Sequence, residues 1–450
     1  MSRIELREIR KVYPTGVVAV DGLSLSVADG EVLVLLGPTG SGKSTVLRLL
    51  AGLETPTSGE ITFDGLGLNE VPARDRGVAL VFQDHALYPH LTVGENIAFP
   101  LIGQDERRRT TRVAEVARLL GLESVLHRRP GQLSGGQRQR LAMARAIARP
   151  PRVLLMDQPL ASLDAAARDA VRTDLIELIR ELGLPTIYVT HDHVEALMLA
   201  DRVVVMRRGH VEQEGTPEQI YGDPGCLFVA AFVGSPRMNL VQAAVYVEAD
   251  ERVIIDLGSQ TLEVPWTDPR AAALMDYHGA RVTVGVRPDA LTIAGDTDRE
   301  HALRGVVRAV ELRGHDALVH VETGCAPTPY DLSHLEFPDA GELSHAAGED
   351  LPSPAPVRER LLRLVPAWPA NRPRRGEEPS RYAFRPAYDP GQPTTRPAVD
   401  LAVRVDSAVT PRLGDTLDLT LDLDRVYLFD GTGERIRLPG TQCVEAAQPA

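Results

Sequence analysis

The stretch "GPTGSGKST", Gly37 to Thr45, constrains the chain more than any other. It fits the pattern G-x-x-x-x-G-K-[ST]. It follows the apolar run "EVLVLLG" and precedes "STVLRLLAGL", which has helical spacing, so it sits where the pattern needs to sit, between a buried strand and a helix. Gly37, Gly40 and Gly42 let the backbone turn its N–H groups toward phosphate oxygens, and the helix that follows offers its positive end to the same charge. Lys43 is placed to reach the β- and γ-phosphates, and the Ser44 hydroxyl to coordinate Mg²⁺. Pro38, Thr39, Ser41 and Thr45 complete the cradle.

Further short apolar runs alternate with helical patterns. "GVALVFQ" (Gly77–Gln83), "RVLLMD" (Arg152–Asp157), "PTIYVTH" (Pro185–His191) and "RVVVM" (Arg202–Met206) read as buried strands. Val171, Leu175, Leu178 and Leu182 fall three and four apart, which predicts an amphipathic helix over Ala165–Leu182. Together these predict a mostly parallel, covered sheet. Asp157, ending the second apolar strand, is the expected partner of the metal. "GTPEQIYGDP" predicts a helix with Thr216 as cap, Pro217 in the first turn and Gln219 closing a capping box.

The pattern changes after Ser235. "VGVRPDALTIAG", "LRGVVRAVELRGHDALVHVETG" and "DTLDLTLDLDRVYLFDGTG" alternate with period two between Gly turns, which predicts small antiparallel barrels. Fourteen of the 34 prolines lie in residues 326–398, in a charged setting that seldom builds a core. That segment reads as a largely irregular insertion in a loop of the second domain, with one short helix possible at "VRERLLRLV".

Net charge excludes some functions. At −13 the chain is a poor nucleic-acid binder and no polybasic membrane surface. The three cysteines, Cys226, Cys325 and Cys443, are isolated, which fits a reducing cytosol and argues against a disulfide framework or zinc site. The start "MSRIELREIRKVYP" lacks the apolar core of a signal peptide, and no window approaches a membrane span, so another chain would have to hold this one at a membrane.

With the phosphate loop, "LSGGQRQR" (Leu133–Arg140) closely resembles the signature of ABC-type ATPases, and the remaining landmarks follow in that family's order over residues 1–235. Tyr13 matches the aromatic that stacks on adenine. Gln83 matches the glutamine at the helical-subdomain junction, with a metal and water role. "SLD" with Asp164 matches the loop that crosses the dimer interface, and His191 matches the switch histidine at the γ-phosphate. "HALYPHLTVGENIAFPL", "LFVAAFVGSPRMNL" and "VGVRPDAL" resemble the maltose-importer type, which serves carbohydrate importers. The resemblance implies an α/β P-loop NTPase domain at 1–237, with a helical subdomain at about 86–150, followed by an all-β OB-like (TOBE-type) regulatory domain at 238–450. It implies two ATP molecules sandwiched between two ATPase subunits, in a homodimer or a heterodimer. Each nucleotide would lie on one subunit's phosphate loop and under Ser134, Gly135, Gly136 and Gln137 of the other. The partners implied are two membrane permease subunits and, indirectly, a solute-binding protein. One phosphate loop, one signature and no heptad run argue against the tandem ATPases of translation or DNA repair.

The chain departs from the family at three places, of which Ser162, where an Asn is common in the interface loop, is the mildest. Asp84-His85 stands where the subfamily commonly has Ser-Tyr. Gln158 stands where the family has the Glu that activates the attacking water; Gln keeps the shape and can hold the water, but cannot take its proton. The expectation is ATP binding and closure with slow hydrolysis. Three settings accommodate Gln158: an engineered trap, a natural variant beside a competent partner ATPase, or a slowly cycling homodimer.

Overall fold

The computed structural model describes residues 3–161, 163, 165–248, 251–294, 302–328 and 400–439. Asp164, Ser162, Cys443, the expected helix at 357–365 and all but the first three residues of the Pro-rich segment lie outside them. The chain divides into two compact units with the break after Ser235.

The first unit runs β1 (Ile4–Val12), β2 (Val18–Val27), β3 (Val32–Leu36), α1 (Lys43–Ala51), β4 (Ser58–Phe63), β5 (Leu66–Gly67), β6 (Val78–Val81), α2 (Val93–Ala98), α3 (Glu106–Leu119) and α4 (Gly135–Ala148). It continues through β7 (Val153–Asp157), α5 (Ala165–Leu182), β8 (Thr186–Thr190), α6 (His193–Leu199), β9 (Arg202–Arg207), β10 (His210–Gly215), α7 (Pro217–Gly222) and α8 (Leu227–Phe232).

The six-stranded sheet has the order β10-β9-β3-β8-β7-β6. All its neighbouring pairs are parallel except β10 with β9. Strands β3, β7, β8 and β9 are apolar and buried on both faces, whereas the edge strand β10 is largely exposed. All five residues of β3 are at most 1% exposed, each contributing roughly 1.5–3 kcal/mol of burial. On α5, Val171, Leu175 and Leu178 are buried as the spacing predicts, and Ile179 joins them; Leu182 stays half-buried. The Thr216–Gln219 capping box forms with both reciprocal bonds, at 2.8 and 3.3 Å.

A second sheet, antiparallel with order β2-β1-β4-β5, lies beyond what the alternation of strands and helices predicts. Its signal is present in the sequence: in "IELREIRKV" Ile4, Leu6 and Ile9 are buried while polar residues fill the positions between. The irregular step between Leu6 and Ile9 in its pairing with β2 breaks strict alternation and obscures the pattern.

The second unit holds β11 (Asn239–Glu248), β12 (Arg252–Asp256), β13 (Thr261–Pro265), α9 (Pro269–Leu274), β14 (Arg281–Val286), β15 (Leu291–Ile293), β16 (Ala302–Leu312), β17 (Asp316–Glu322), β18 (Asp400–Asp406), β19 (Thr416–Leu421), β20 (Val426–Phe429) and β21 (Arg435–Ile436). They form two antiparallel sheets, β13-β12-β11-β14-β20-β21 and β15-β19-β16-β17-β18. Both feed one core, in which Val245, Val253, Val319, Val403, Leu419 and Leu428 are fully buried. Strands β17 and β18 pair in register from Asp316↔Asp406 to Glu322↔Asp400. The Pro-rich excursion thus leaves one strand and returns on its neighbour, and a long loop between fixed ends adds closure entropy only logarithmically. Cys226 and Cys325 are free thiols; burial in the core pushes Cys325 up to about 11.

Candidate active site

Strands β3, β8, β7 and β6 lie side by side and run the same way, so whatever follows each one emerges along one edge. After β3 comes the phosphate loop. After β8 comes His191. Strand β7 ends in Asp157 and is followed by Gln158, and β6 is followed by Gln83. Ligands of open α/β sheets bind at this carboxyl edge.

The loop keeps its shape for steric reasons. Gly42 has φ of 100°, and a Cβ there would sit 2.3 Å from the Ala19 carbonyl oxygen. At Gly40, with φ of 81°, a Cβ would meet nothing within 4 Å, so that side of the loop faces open space. Pro38 is half-buried, Thr39 is exposed and Ser41 is buried. The Lys43 ammonium donates to the carbonyls of Gly37 (2.8 Å) and Pro38 (2.7 Å) and to Ser41 Oγ (3.0 Å). Burial pushes Lys43 down to about 8, against the pull of Asp157, so an arriving phosphate would meet a cation that gains from pairing.

Ser44 Oγ donates to Asp157 Oδ1 at 2.9 Å. A hydroxyl and a carboxylate side by side are the hard oxygen donors that Mg²⁺ takes together with phosphate oxygens and water. Among the described residues no cluster of three or more His, Cys, Asp or Glu is placed to hold a metal by itself. The donor set fits a nucleotide-borne Mg²⁺. Burial raises the Asp157 carboxyl, while Ser44, Arg48 and Lys43 pull it back. Gln83 is exposed just past the end of β6, which stops at Val81, two residues short of the predicted strand.

Gln158 has a left-handed backbone, φ 44°, unusual for a residue with a Cβ. Its N–H donates to the Val189 carbonyl (2.9 Å), and its carbonyl accepts from Ala161 N (3.1 Å). These bonds hold a strained conformation of the kind found where a side chain must be aimed. Its Oε1 lies 2.9 Å from His191 Nδ1. Burial, then Lys43 and Arg168, press the His191 imidazole below its usual value; Asp192 opposes them.

Tyr13 lies in the turn between β1 and β2, half-buried, with its hydroxyl 3.5 Å from Thr45 Oγ1 and the Lys11 ammonium 5.1 Å from its ring centre. That places an aromatic face beside the end of the phosphate loop. The signature residues belong to another element. Ser134 caps α4, accepting from Gln137 N at 3.3 Å while Gln137 Oε1 accepts from Ser134 N at 3.1 Å. Gly135 and Gly136 pack closely: a Cβ would come 2.8 Å from Leu163 Cδ2 and 3.0 Å from Val171 Cγ2 respectively, so those side-chain ends would have to shift. The sheet edge therefore gathers Lys43, Ser44, Asp157, Gln158 and His191, whereas Ser134–Gln137 open a helix outside that sheet.

Two residues have no place among the sequence motifs. Glu195, in the first turn of α6, is 4% exposed and accepts from Tyr188 Oη (3.0 Å) and Thr190 Oγ1 (2.8 Å). Thr190 Oγ1 also accepts from Asp192 N (3.0 Å), so this network pins both neighbours of His191. Arg168, on α5, lines with Glu195, Gln158 and His191 a small cavity of about 40 Å³. A Glu four positions after a candidate histidine is the available signal for Glu195; Arg168 has none.

The family described as "ABC transporter" matches residues 20–161, "MalK OB fold domain" residues 234–291 and "TOBE domain" residues 284–345. An sn-glycerol-3-phosphate import ATP-binding protein of Rhizobium meliloti is 45% identical over 71% of this chain and 87% of its own length. The chain belongs to the ABC transporter family. Other ABC relatives include a sulfoquinovosyl glycerol transport ATP-binding protein of Agrobacterium fabrum and a trehalose/maltose import ATP-binding protein of Thermococcus litoralis. Each is 45% identical, covering 72% of this chain and 89% of the relative. The second unit of this ABC chain carries the OB-fold and TOBE matches, in line with its antiparallel sheets and period-two sequence.

Proposed function

We propose that this chain is the ATP-binding, energy-coupling subunit of an importer, and that it turns ATP over slowly. The observation that carries the reading is the sheet edge where Lys43, the Ser44–Asp157 pair and the Gln158–His191 pair converge. The phosphate loop would hold ATP, with Mg²⁺ resting on Ser44 and Asp157 and with Gln83 near the metal and its water. Tyr13 would face the adenine. Ser134, Gly135, Gly136, Gln137 and Asp164 would act across the interface with a second ATPase subunit. Phosphoryl transfer depends on positioning and electrostatics, which this site retains, and a positioned general base adds about 10²–10⁴-fold, which residue 158 does not supply. No helix among the described residues is long and apolar enough to cross a membrane. Two permease subunits would therefore hold the chain at the cytoplasmic face of the membrane. The named relatives handle glycerol phosphate, a sugar glycoside and disaccharides, which favours a carbohydrate or glycerol-linked cargo.

The test is ATP turnover by the purified chain beside Gln158→Glu, with and without permease. The expected result is a variant faster by about 10² or more. A second reading, motivated by Gln158, is a non-hydrolysing, ATP-gated regulatory subunit; equal rates would show that the base position is not what limits the protein.

A further inference from the structure

A cavity of about 340 Å³ opens between the end of α3, α4 and α5, and it shares no residue with the sheet edge that gathers Lys43, Ser44, Asp157, Gln158 and His191. Helical spacing builds it. On α4, Gln139 and Met143 lie one turn apart and both line it. On α5, Val171, Leu175 and Leu178 supply an apolar wall, and Asp174, Glu177 and Glu181, also three and four apart, form an exposed acidic stripe beside that wall.

Gln139 is fully buried, yet neither its Oε1 nor its Nε2 has a hydrogen-bond partner. The amide lies near enough to His85 to counter the burial that lowers that imidazole, but outside hydrogen-bond geometry. Burying an unpaired acceptor and an unpaired donor together is costly for a fold. Both would be satisfied by a group that presents a donor and an acceptor side by side, as another amide does. At the rim, Arg140 is held by Asp174, and Arg118 by Glu123 at 3.3 Å. Glu177 and Glu181 have no ion-pair partner among the described residues, so the mouth of the cavity keeps uncompensated negative charge.

We propose that this cavity is a binding site for a small amphipathic cation that carries an amide. The amide pairs with Gln139, the apolar body lies against Val171, Leu175 and Met143, and the cation sits beside Glu177 and Glu181. The volume falls within the roughly 300–1,000 Å³ of small-molecule sites, whose usual make-up is an apolar wall with a few placed polar groups. An occupant would also lie against the residue on which the signature helix packs, because Val171 Cγ2 is 3.0 Å from where a Cβ on Gly136 would be. The proposal goes beyond the ATPase reading and stands or falls without it.

Ligand-observed NMR and calorimetric titration of the full chain test this, with 4-(aminomethyl)benzamide as the probe. It should bind with a Kd of about 1 mM or tighter. 4-Methylbenzylamine, which lacks the amide, and 4-carbamoylbenzoate, which has an anion in place of the cation, should each bind at least about tenfold more weakly. Gln139→Leu, of nearly the same volume, should lose about tenfold or more in probe affinity with no fall in melting temperature, since no hydrogen bond within the protein is removed. Met143→Trp narrows the cavity from its wall and should block the probe with the amide intact. Glu177→Gln and Glu181→Gln together should bring the anionic analogue to within about threefold of the probe. Saturating ATP should leave probe binding unchanged. No binding at about 10 mM would overturn the proposal and leave a cavity that holds only water. Unchanged affinity in Gln139→Leu, or displacement by ATP, would overturn it too, because the probe would then sit elsewhere.

Discussion

The hydroxyl of Ser44 donates to Oδ1 of Asp157 across 113 positions of sequence, at 2.9 Å. The bond links the first helical turn after the phosphate loop to the end of β7, and it places two oxygens where a nucleotide-borne cation would need them. Ser44→Ala should therefore weaken ATP binding about tenfold or more in Mg²⁺ and leave binding in chelator almost unchanged. Calorimetric titration under both conditions checks this; equal losses would show that the hydroxyl serves the loop and not the metal.

The two loop glycines should respond differently. Alanine at Gly42 meets the Ala19 carbonyl at 2.3 Å as well as an unfavourable φ, so the loop must move. Nucleotide binding should be lost, with a lowered melting temperature. Alanine at Gly40 meets nothing within 4 Å and costs only the left-handed strain of about 1–2 kcal/mol. Melting curves and fluorescent-nucleotide titration of the two variants should separate a clash from a strain.

Arg76 is 5% exposed and caps the helix that carries the phosphate loop. Its guanidinium donates to the carbonyls of Leu49 (2.7 Å), Leu50 (3.0 Å) and Val71 (2.8 Å), two of them at the C-terminal end of α1, where positive charge also suits the helix dipole. Arg76→Met should cost about 2–4 kcal/mol in denaturant unfolding, because buried carbonyls lose a charged donor. A change under about 0.5 kcal/mol would mean that water replaces it.

Burial, aided by Asp192, raises the Glu195 carboxyl, although its bonds from Thr190 and Tyr188 pull the other way. For an acid with a raised folded-state pKa, the folded protein holds the proton more tightly. Folding then loses stability as pH climbs from the unfolded value, about 4.3, through the folded one. Glu195→Gln keeps an acceptor for both hydroxyls and removes the charge. Its melting temperature should match wild type near pH 4 and exceed it at pH 7, by about 1–4 °C. A constant difference across that range would show that the effect is packing and not ionisation.

Much of the site is legible in the sequence because its motifs are local. The loop "GPTGSGKST" carries its glycines, lysine and serine within nine residues, and the Ser134–Gln137 capping box closes within one turn. The amphipathic face of Ala165–Leu182 needs only the period of a helix. Edges are less secure: β6 stops at Val81, before the predicted Gln83, because the strand ends where its pairing with β7 ends, and sequence alone does not mark that point.

The sequence by itself determined the strands of the parallel sheet and the helix over Ala165–Leu182, the phosphate-binding chemistry, the change to period-two strands after Ser235 and the missing carboxylate at 158. These follow from residue type and short spacing, which act through the backbone nearby. Only the tertiary structure decided which residues meet. Gln158 and His191 lie 33 positions apart and touch because β7 and β8 are neighbours in a parallel sheet. The left-handed backbone of Gln158, the cap that Arg76 gives α1 and the burial of Glu195 depend likewise on strand order and packing. Such contacts are set by which surfaces exclude water together, a property of the whole fold that no local pattern carries.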